Sequence, residues 1–145
     1  TGMEICKDFD YNKPIDAFVA GTGTGGTIMG AGKFIKNRYP ICKLVALEPA
    51  ESPVMSGGEP GLHGIQGIGD GSKFLVNLKD IDRIETVSTE ESIEKSKSLA
   101  KQYGLFIGFS AAANFLVAER LINEGYAENV VTILCDRGER YFSCL

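Results

Sequence analysis

No stretch of the chain approaches the roughly 18 consecutive apolar residues that a membrane-spanning helix needs. The opening residues, Thr1 to Ile5, show neither a basic start nor a long apolar run. Neither a membrane span nor a signal peptide is therefore expected. Basic clusters and interleaved aromatic and basic residues are also missing, and the net charge of −4 comes from acids and bases mixed along the chain. That distribution argues against nucleic acid as a partner. There is a single histidine, His63, which reads as an exposed loop residue rather than a catalytic base. The four cysteines, Cys6, Cys42, Cys135 and Cys144, are widely spaced and form no CxxC pair, so they read as reduced thiols rather than metal ligands or disulfides. Only Cys135 stands out, because it follows an expected strand. The expectation from these absences is a cytoplasmic protein.

What is present is enough for one domain with a hydrophobic core: 145 residues, 43% apolar and 23% charged. The 18 glycines are gathered at Gly21 to Gly32, at Gly57 to Gly71, and near Gly104 and Gly108. Such clusters mark loops where the backbone itself comes close to something. The first residues read as the tail of a helix and Asp8 to Pro14 as a polar turn. Ala17 to Ala20 is a short apolar run stopped by Gly21, and Leu44 to Leu47 a second, stopped by Glu48-Pro49. Ile84 to Val87 and Val130 to Leu134 complete four expected buried strands. Between them, Thr27 to Arg38 follows helical spacing, with Ile28, Phe34 and Ile35 to pack and Lys33, Lys36 and Arg38 in solvent. Pro40 stops that helix. Thr89 is expected to cap a helix that runs to Tyr103 and stops at Gly104, with Glu90 and Glu91 in its first turn. Lys95, Lys97 and Lys101 read as its solvated face. Ser110 is placed to cap a further helix from Ala111 to Asn123. Residues 50–78 form a Gly/Pro-rich connection long enough to be functional. Short apolar strands alternating with helices imply an α/β fold, a parallel sheet with helices on both faces.

The segment Gly21-Thr22-Gly23-Thr24-Gly25-Gly26-Thr27 lies between an expected strand and an expected helix. Its glycines let amides turn toward a ligand, and a helix N-terminus adds partial positive charge, so it reads as a phosphate cup built from neutral donors. A Walker A loop is excluded because no GKS or GKT follows, and Lys33 lies too far along the helix. Gly21, Gly23 and Gly26 fit a dinucleotide G-x-G-x-x-G, with Glu48 at the end of the next strand as the ribose-binding acid. A Rossmann-type nucleotide domain therefore stays open, as does a glycine turn with no ligand.

Three ordered segments together carry a resemblance. Gly23-Thr24-Gly25-Gly26-Thr27 matches a GTGGT loop and Ile65-Gln66-Gly67-Ile68-Gly69 an IQGIG loop. Gly138-Glu139-Arg140-Tyr141 with Ser143 matches a GERYLS segment, and the Leu47-Glu48-Pro49 junction agrees. Over essentially its whole length the chain resembles the cysteine synthase family, the fold type II enzymes that use pyridoxal 5'-phosphate. The resemblance implies that Gly23, Thr24, Gly25, Gly26 and Thr27 hold the cofactor phosphate. It implies that Ser110, in Gly108-Phe109-Ser110, hydrogen-bonds the pyridine nitrogen, a role compatible with capping. It sets Gln66, Gly67 and Ile68 on the substrate side, where a plain surface turn is the other reading. Asp136 reads equally as a group at the pyridine edge or as a solvated loop acid.

By the same resemblance, the activity is β-replacement on O-acetylserine by sulfide to give L-cysteine. The partners are these small molecules, a second copy in a homodimer, and the C-terminal tail of serine acetyltransferase. The family lysine that binds the cofactor, and the substrate-carboxylate loop, belong to a preceding half. Residues 1–145 are thus expected to be the C-terminal part of the large cofactor-binding domain, inactive alone, with no catalytic residue to assign. A cystathionine β-synthase-like enzyme and a non-catalytic phosphate- or partner-binding domain are the alternatives. The chain departs from the family pattern at Ala112, at Asp70-Gly71-Ser72 after IQGIG, and at Cys135-Asp136-Arg137 before GERY.

Overall fold

A computed structural model describes residues 1–9, 13–72 and 74–144, the last in its backbone only. Within the expected turn from Asp8 to Pro14, residues 10–12 lie outside the described residues, as does the Cys144 side chain. The elements run α1 (Gly2–Asp8), β1 (Ala17–Gly21), α2 (Gly26–Arg38), β2 (Lys43–Pro49), β3 (Arg83–Val87), α3 (Thr89–Tyr103), α4 (Phe109–Asn123) and β4 (Val130–Thr132). The strands form one parallel sheet in the order β3-β2-β1-β4.

Strand periodicity divides the core into two layers. Phe18 and Ala20 of β1 and Leu44 and Ala46 of β2 face α1 and α2, where they meet Ile28, Ala31 and Ile35. The alternate residues, Ala17, Val19, Val45 and Leu47, face α4 and pack on Phe109, Ala113, Val117 and Leu121. The two central strands are therefore apolar on both sides, which is why they read as unbroken hydrophobic runs. Helix α3 packs on the outer side of α4 rather than on the sheet.

Several expectations are corrected. Phe34 is exposed, because α2 buries the stripe Ile28, Met29, Ala31, Gly32 and Ile35, and Phe34 lies beyond its edge. Strand β2 continues through Glu48-Pro49, and β4 stops at Thr132. The cap of α3 is Ser88, in a capping box with Glu91, while the Thr89 hydroxyl accepts from the Gly64 amide at 2.8 Å. Lys95 is not a solvated group: it pairs with Glu119 at 2.6 Å and lies over the Phe115 ring. Helix α4 starts two residues earlier than a cap at Ser110 requires, with Gly108 as its N-cap. His63 is half-buried, with Nε2 donating to the Gly69 carbonyl at 3.1 Å.

Candidate active site

The carboxyl ends of β1 and β4 and the N-termini of α2 and α4 open onto one cleft of about 530 Å³. This is the end of a parallel sheet where ligands settle, and the volume lies within the roughly 300–1,000 Å³ range of small-molecule sites. The residues that the resemblance assigns to cofactor and substrate meet here. Gly23 to Thr27 form one wall, Gln66, Gly67 and Ile68 a second, and Ser110 the end between them, beside Cys135, Asp136 and Tyr141.

The glycine wall is shaped by backbone. Gly25 has φ +87°, and a methyl group there would lie 2.6 Å from Cγ2 of Val76, so only glycine fits. The residues before and after the loop are held firmly. The Thr22 amide and hydroxyl both donate to the Leu47 carbonyl at 2.9 Å, and the Leu75 amide donates to the Thr24 carbonyl at 3.0 Å. No side chain caps α2, and among the described residues nothing accepts from the amides of Gly23 to Thr27. These unsatisfied donors at the positive end of a 13-residue helix form an anion seat.

The second wall is carried by the long connection. Ile65, Ile68 and Val76 are buried and anchor it, while Gln66 and Gly67 are exposed. The Gly69 amide donates to the Thr22 carbonyl at 2.9 Å, tying this wall to the glycine loop.

At the far end Ser110 is 4% exposed, and among the described residues its hydroxyl donates only to Cys135 Sγ, at 3.9 Å. A bond that long to sulfur is weak, so the proton is available to a better acceptor in the cleft. Burial pushes the Cys135 thiol up, against a smaller opposing effect of the Ser110 bond. It is a neutral thiol and not a primed nucleophile.

Asn114, which the sequence reading missed, joins these parts. Its Oδ1 accepts from the Gly21 amide at 2.7 Å, and its Nδ2 donates to the Ile133 carbonyl at 2.8 Å and to Cys135 Sγ at 3.6 Å. A lone amide among alanines and branched residues of an apolar helix was the available signal. Asp136 lines the cleft and is not a solvated loop acid. Its Oδ2 accepts from the Tyr141 hydroxyl, and its buried Oδ1 abuts Gly108 at the start of α4.

Glu48 decides between the two phosphate-loop readings. It is 2% exposed, and its carboxylate accepts from the Met55 amide at 2.6 Å and the Ser56 amide at 2.9 Å. Both oxygens are engaged in holding the chain beyond β2, so no acid is left to receive a ribose hydroxyl. The dinucleotide reading is set aside on that ground. Among the described residues no cluster suited to a metal ion occurs, and no helix is long and apolar enough to cross a membrane.

A parallel α/β sheet with an uncapped glycine loop and a neutral serine at opposite ends of one cleft suits a phosphorylated, ring-bearing cofactor. Residues 1–136 match the family described as pyridoxal-phosphate dependent enzyme, and the chain belongs to that family. Within it, the chain is 44% identical to cysteine synthase of Staphylococcus aureus, over 99% of its own length and 46% of that protein. Its fold superposes on a hydrogen sulfide-producing enzyme of Fusobacterium nucleatum with a TM-score of 0.91 and 40% identity, covering 99% of this chain and 44% of the other. An O-acetylserine dependent cystathionine β-synthase of Helicobacter pylori gives a TM-score of 0.87 and 36% identity, covering 98% and 46%. The chain thus spans about half the length of the relatives it matches.

Proposed function

We propose that this chain is the cofactor-anchoring part of a cysteine synthase, which replaces the acetate of O-acetylserine with sulfide. The observation that carries the reading is the meeting of three separated segments in one cleft: the GTGGT loop, the IQGIG loop and Ser110. The amides of Gly23 to Thr27, with the hydroxyls of Thr24 and Thr27, hold the phosphate of pyridoxal 5'-phosphate. Ser110 would donate a hydrogen bond from its hydroxyl to the pyridine nitrogen. The bound cofactor supplies the electron sink that lets a group on the substrate β-carbon depart. A neutral serine leaves the ring nitrogen unprotonated, where an aspartate would keep it charged, and the weaker sink favours elimination over transamination. Gln66, Gly67 and Ile68 border the substrate and exclude water from that side.

In this reading residues 1–145 are the C-terminal part of the large domain, and the lysine that binds the cofactor comes from a preceding half. The complete enzyme is a homodimer whose cleft also receives the C-terminal tail of serine acetyltransferase. The three described cysteines are unpaired thiols, as suits the reducing cytoplasm. The Helicobacter relative supports a second reading, in which a thiol amino acid replaces sulfide.

The test is an absorbance titration with pyridoxal 5'-phosphate, with and without a lysine-bearing N-terminal half. The expected result is a visible band from lysine-bound cofactor, and cysteine formation, only when both halves are present. Folded chains that bind no cofactor in either sample would sink the assignment of the glycine loop. Lysine-dependent turnover by this chain alone would sink the claim that it needs the other half.

A further inference from the structure

The ladder between β1 and β4 is short. It ends at Val19 opposite Thr132, whose hydroxyl donates to the Val19 carbonyl at 2.9 Å, although β1 runs on to Gly21. Beyond that pair the two strands part, and the cleft opens at the fork, where Gly21 and Cys135 both line it. Parting leaves the Gly21 amide and the Ile133 carbonyl without a ladder bond, and each needs a partner. The Asn114 carboxamide supplies both. Its Oδ1 accepts from the Gly21 amide at 2.7 Å, and its Nδ2 donates to the Ile133 carbonyl at 2.8 Å. A side-chain amide thus stands in for a peptide unit and holds the fork open by its own width. Asn114 is 1% exposed. A methyl group on Gly21 would lie 3.3 Å from Asn114 Oδ1 and 2.8 Å from Ile68 Cγ2, so bare backbone at Gly21 lets the carboxamide approach.

Each arm of the fork leads to one end of the cleft. Gly21 runs into the glycine loop. Ile133 runs into Cys135, whose Sγ accepts from Asn114 Nδ2 at 3.6 Å and from the Ser110 hydroxyl at 3.9 Å. Ser110 itself lies one helical turn before Asn114 on α4, so the two share a face. The glycine loop has supports of its own, Thr22 on the Leu47 carbonyl and Leu75 on the Thr24 carbonyl, and Ser110 is carried by the helix. Neither end needs Asn114 for its local shape. Their separation does need it, because this one carboxamide is bonded to β1, to β4 and, through α4, to Ser110. We propose that Asn114 is a positioning residue that sets the span between the anion seat and Ser110, so that one ligand engages both at once. This deepens the cofactor reading and rests on it. Two linked binding groups reinforce each other only when the span of the site matches that of the ligand.

The test uses this chain together with its lysine-bearing half, free of cofactor, as native protein and as Asn114→Leu. Leucine keeps the branched shape, adds no charge and removes both hydrogen bonds. Inorganic phosphate, pyridoxine and pyridoxine 5'-phosphate, none of which bonds covalently to lysine, are each titrated and followed by NMR chemical shift. For pyridoxine 5'-phosphate, Kd is expected to rise about 10- to 100-fold in the variant, the scale of a misplacement of about 1 Å. For phosphate alone and for pyridoxine alone, Kd is expected to stay within about 2-fold of native, since each engages one end only. A merely structural role would loosen all three alike. That result, or unchanged affinity for pyridoxine 5'-phosphate in a folded variant, would overturn the proposal. Where the variant fails to fold, hydrogen exchange in the native protein tests the same bond. Without ligand, the Gly21 amide is expected to exchange at least about 100-fold more slowly than the amides of Gly23 to Thr27, which slow only when pyridoxine 5'-phosphate is added. A Gly21 amide that exchanges as fast as those of the loop would equally overturn the proposal. Failure of the folded native protein to bind pyridoxine 5'-phosphate would instead overturn the cofactor reading, and the proposal with it.

Discussion

Asp136, Tyr141 and Gly108 form a small closed unit behind Ser110. A buried carboxylate oxygen without a hydrogen bond costs on the order of 1–3 kcal/mol. Oδ1 of Asp136 is such an atom, and its position against the first turn of α4 offsets part of that cost through the helix dipole. The other oxygen is satisfied by Tyr141, whose ring also stacks on Phe109 at 4.7 Å between centroids. Burial first, and then the hydrogen bond and charge of Asp136, push the Tyr141 hydroxyl up to about 12 from its ordinary 10.0. Because the folded value is raised, this group's stabilisation is complete below pH 10.0 and is lost as pH climbs through about 12. An ultraviolet titration of tyrosinate should therefore show a late phase near 12 that Tyr141→Phe removes. That variant is expected to lose about 1–3 kcal/mol, since Asp136 then has two unsatisfied oxygens. A late phase that survives the substitution would show that the hydroxyl is not held in this way. Gly108→Ala belongs to the same unit. Its methyl group would lie 2.1 Å from Asp136 Oδ1, so the change displaces the very turn that carries Ser110.

At the scale of elements, α3 shows how local chemistry sets a boundary. Ser88 accepts from the Glu91 amide at 3.2 Å, and Glu91 accepts from the Ser88 amide at 2.8 Å. The pattern S-x-x-E was present in Ser88-Thr89-Glu90-Glu91 and selects Ser88, because Thr89 has Ser92 and not an acid three residues on. The Ser88 amide holds the Glu91 carboxyl below its ordinary 4.5, with Arg120 assisting and partial burial opposing. A depressed folded value means that this stabilisation is present above pH 4.5 and disappears as pH falls through the folded value. Glu91→Gln is expected to cost about 0.5 kcal/mol at neutral pH, the lower end for a cap, since the side chain is largely exposed. It should also flatten the acid limb of a stability-against-pH curve, read by denaturant melts. An acid limb as steep as that of the native chain would show that Glu91 does not carry it.

The central strands were legible in the sequence because a strand buried on both faces reads as an unbroken apolar run. The ends of the strands were not, because tertiary partners decide them. Strand β4 gives out where the Ile133 carbonyl is taken by Asn114, and β2 runs on because Met55 and Ser56 satisfy Glu48. The walls of the cleft were legible as motif segments, which the fold brings together. Asn114 was not, because its Gly21 partner is 93 residues away in sequence, beyond any local pattern.

Taken as a whole, the molecule leaves its apolar surface unevenly covered. Both edges of the sheet, β3 and β4, have one strand neighbour each, and unpaired edges are templates for association. Beside the anion seat, α1 and α2 enclose an open groove of about 370 Å³, in which Gly26 and Thr27 share the lining with Met3 and Phe34. Met3 and Phe34 are 68% and 45% exposed. Because the groove adjoins the glycine loop, whatever covers it also shelters that loop from water. The chain on its own is therefore expected to self-associate, with a sedimentation coefficient that rises with concentration in the micromolar range. Phe34→Ser should weaken that association while changing the stability of the monomer by no more than about 0.5 kcal/mol, because the ring is only partly buried. A single monomeric species at every concentration would mean that the groove closes upon itself in solution. In that case the anion seat of α2 would be sheltered by this chain alone, without a neighbouring surface.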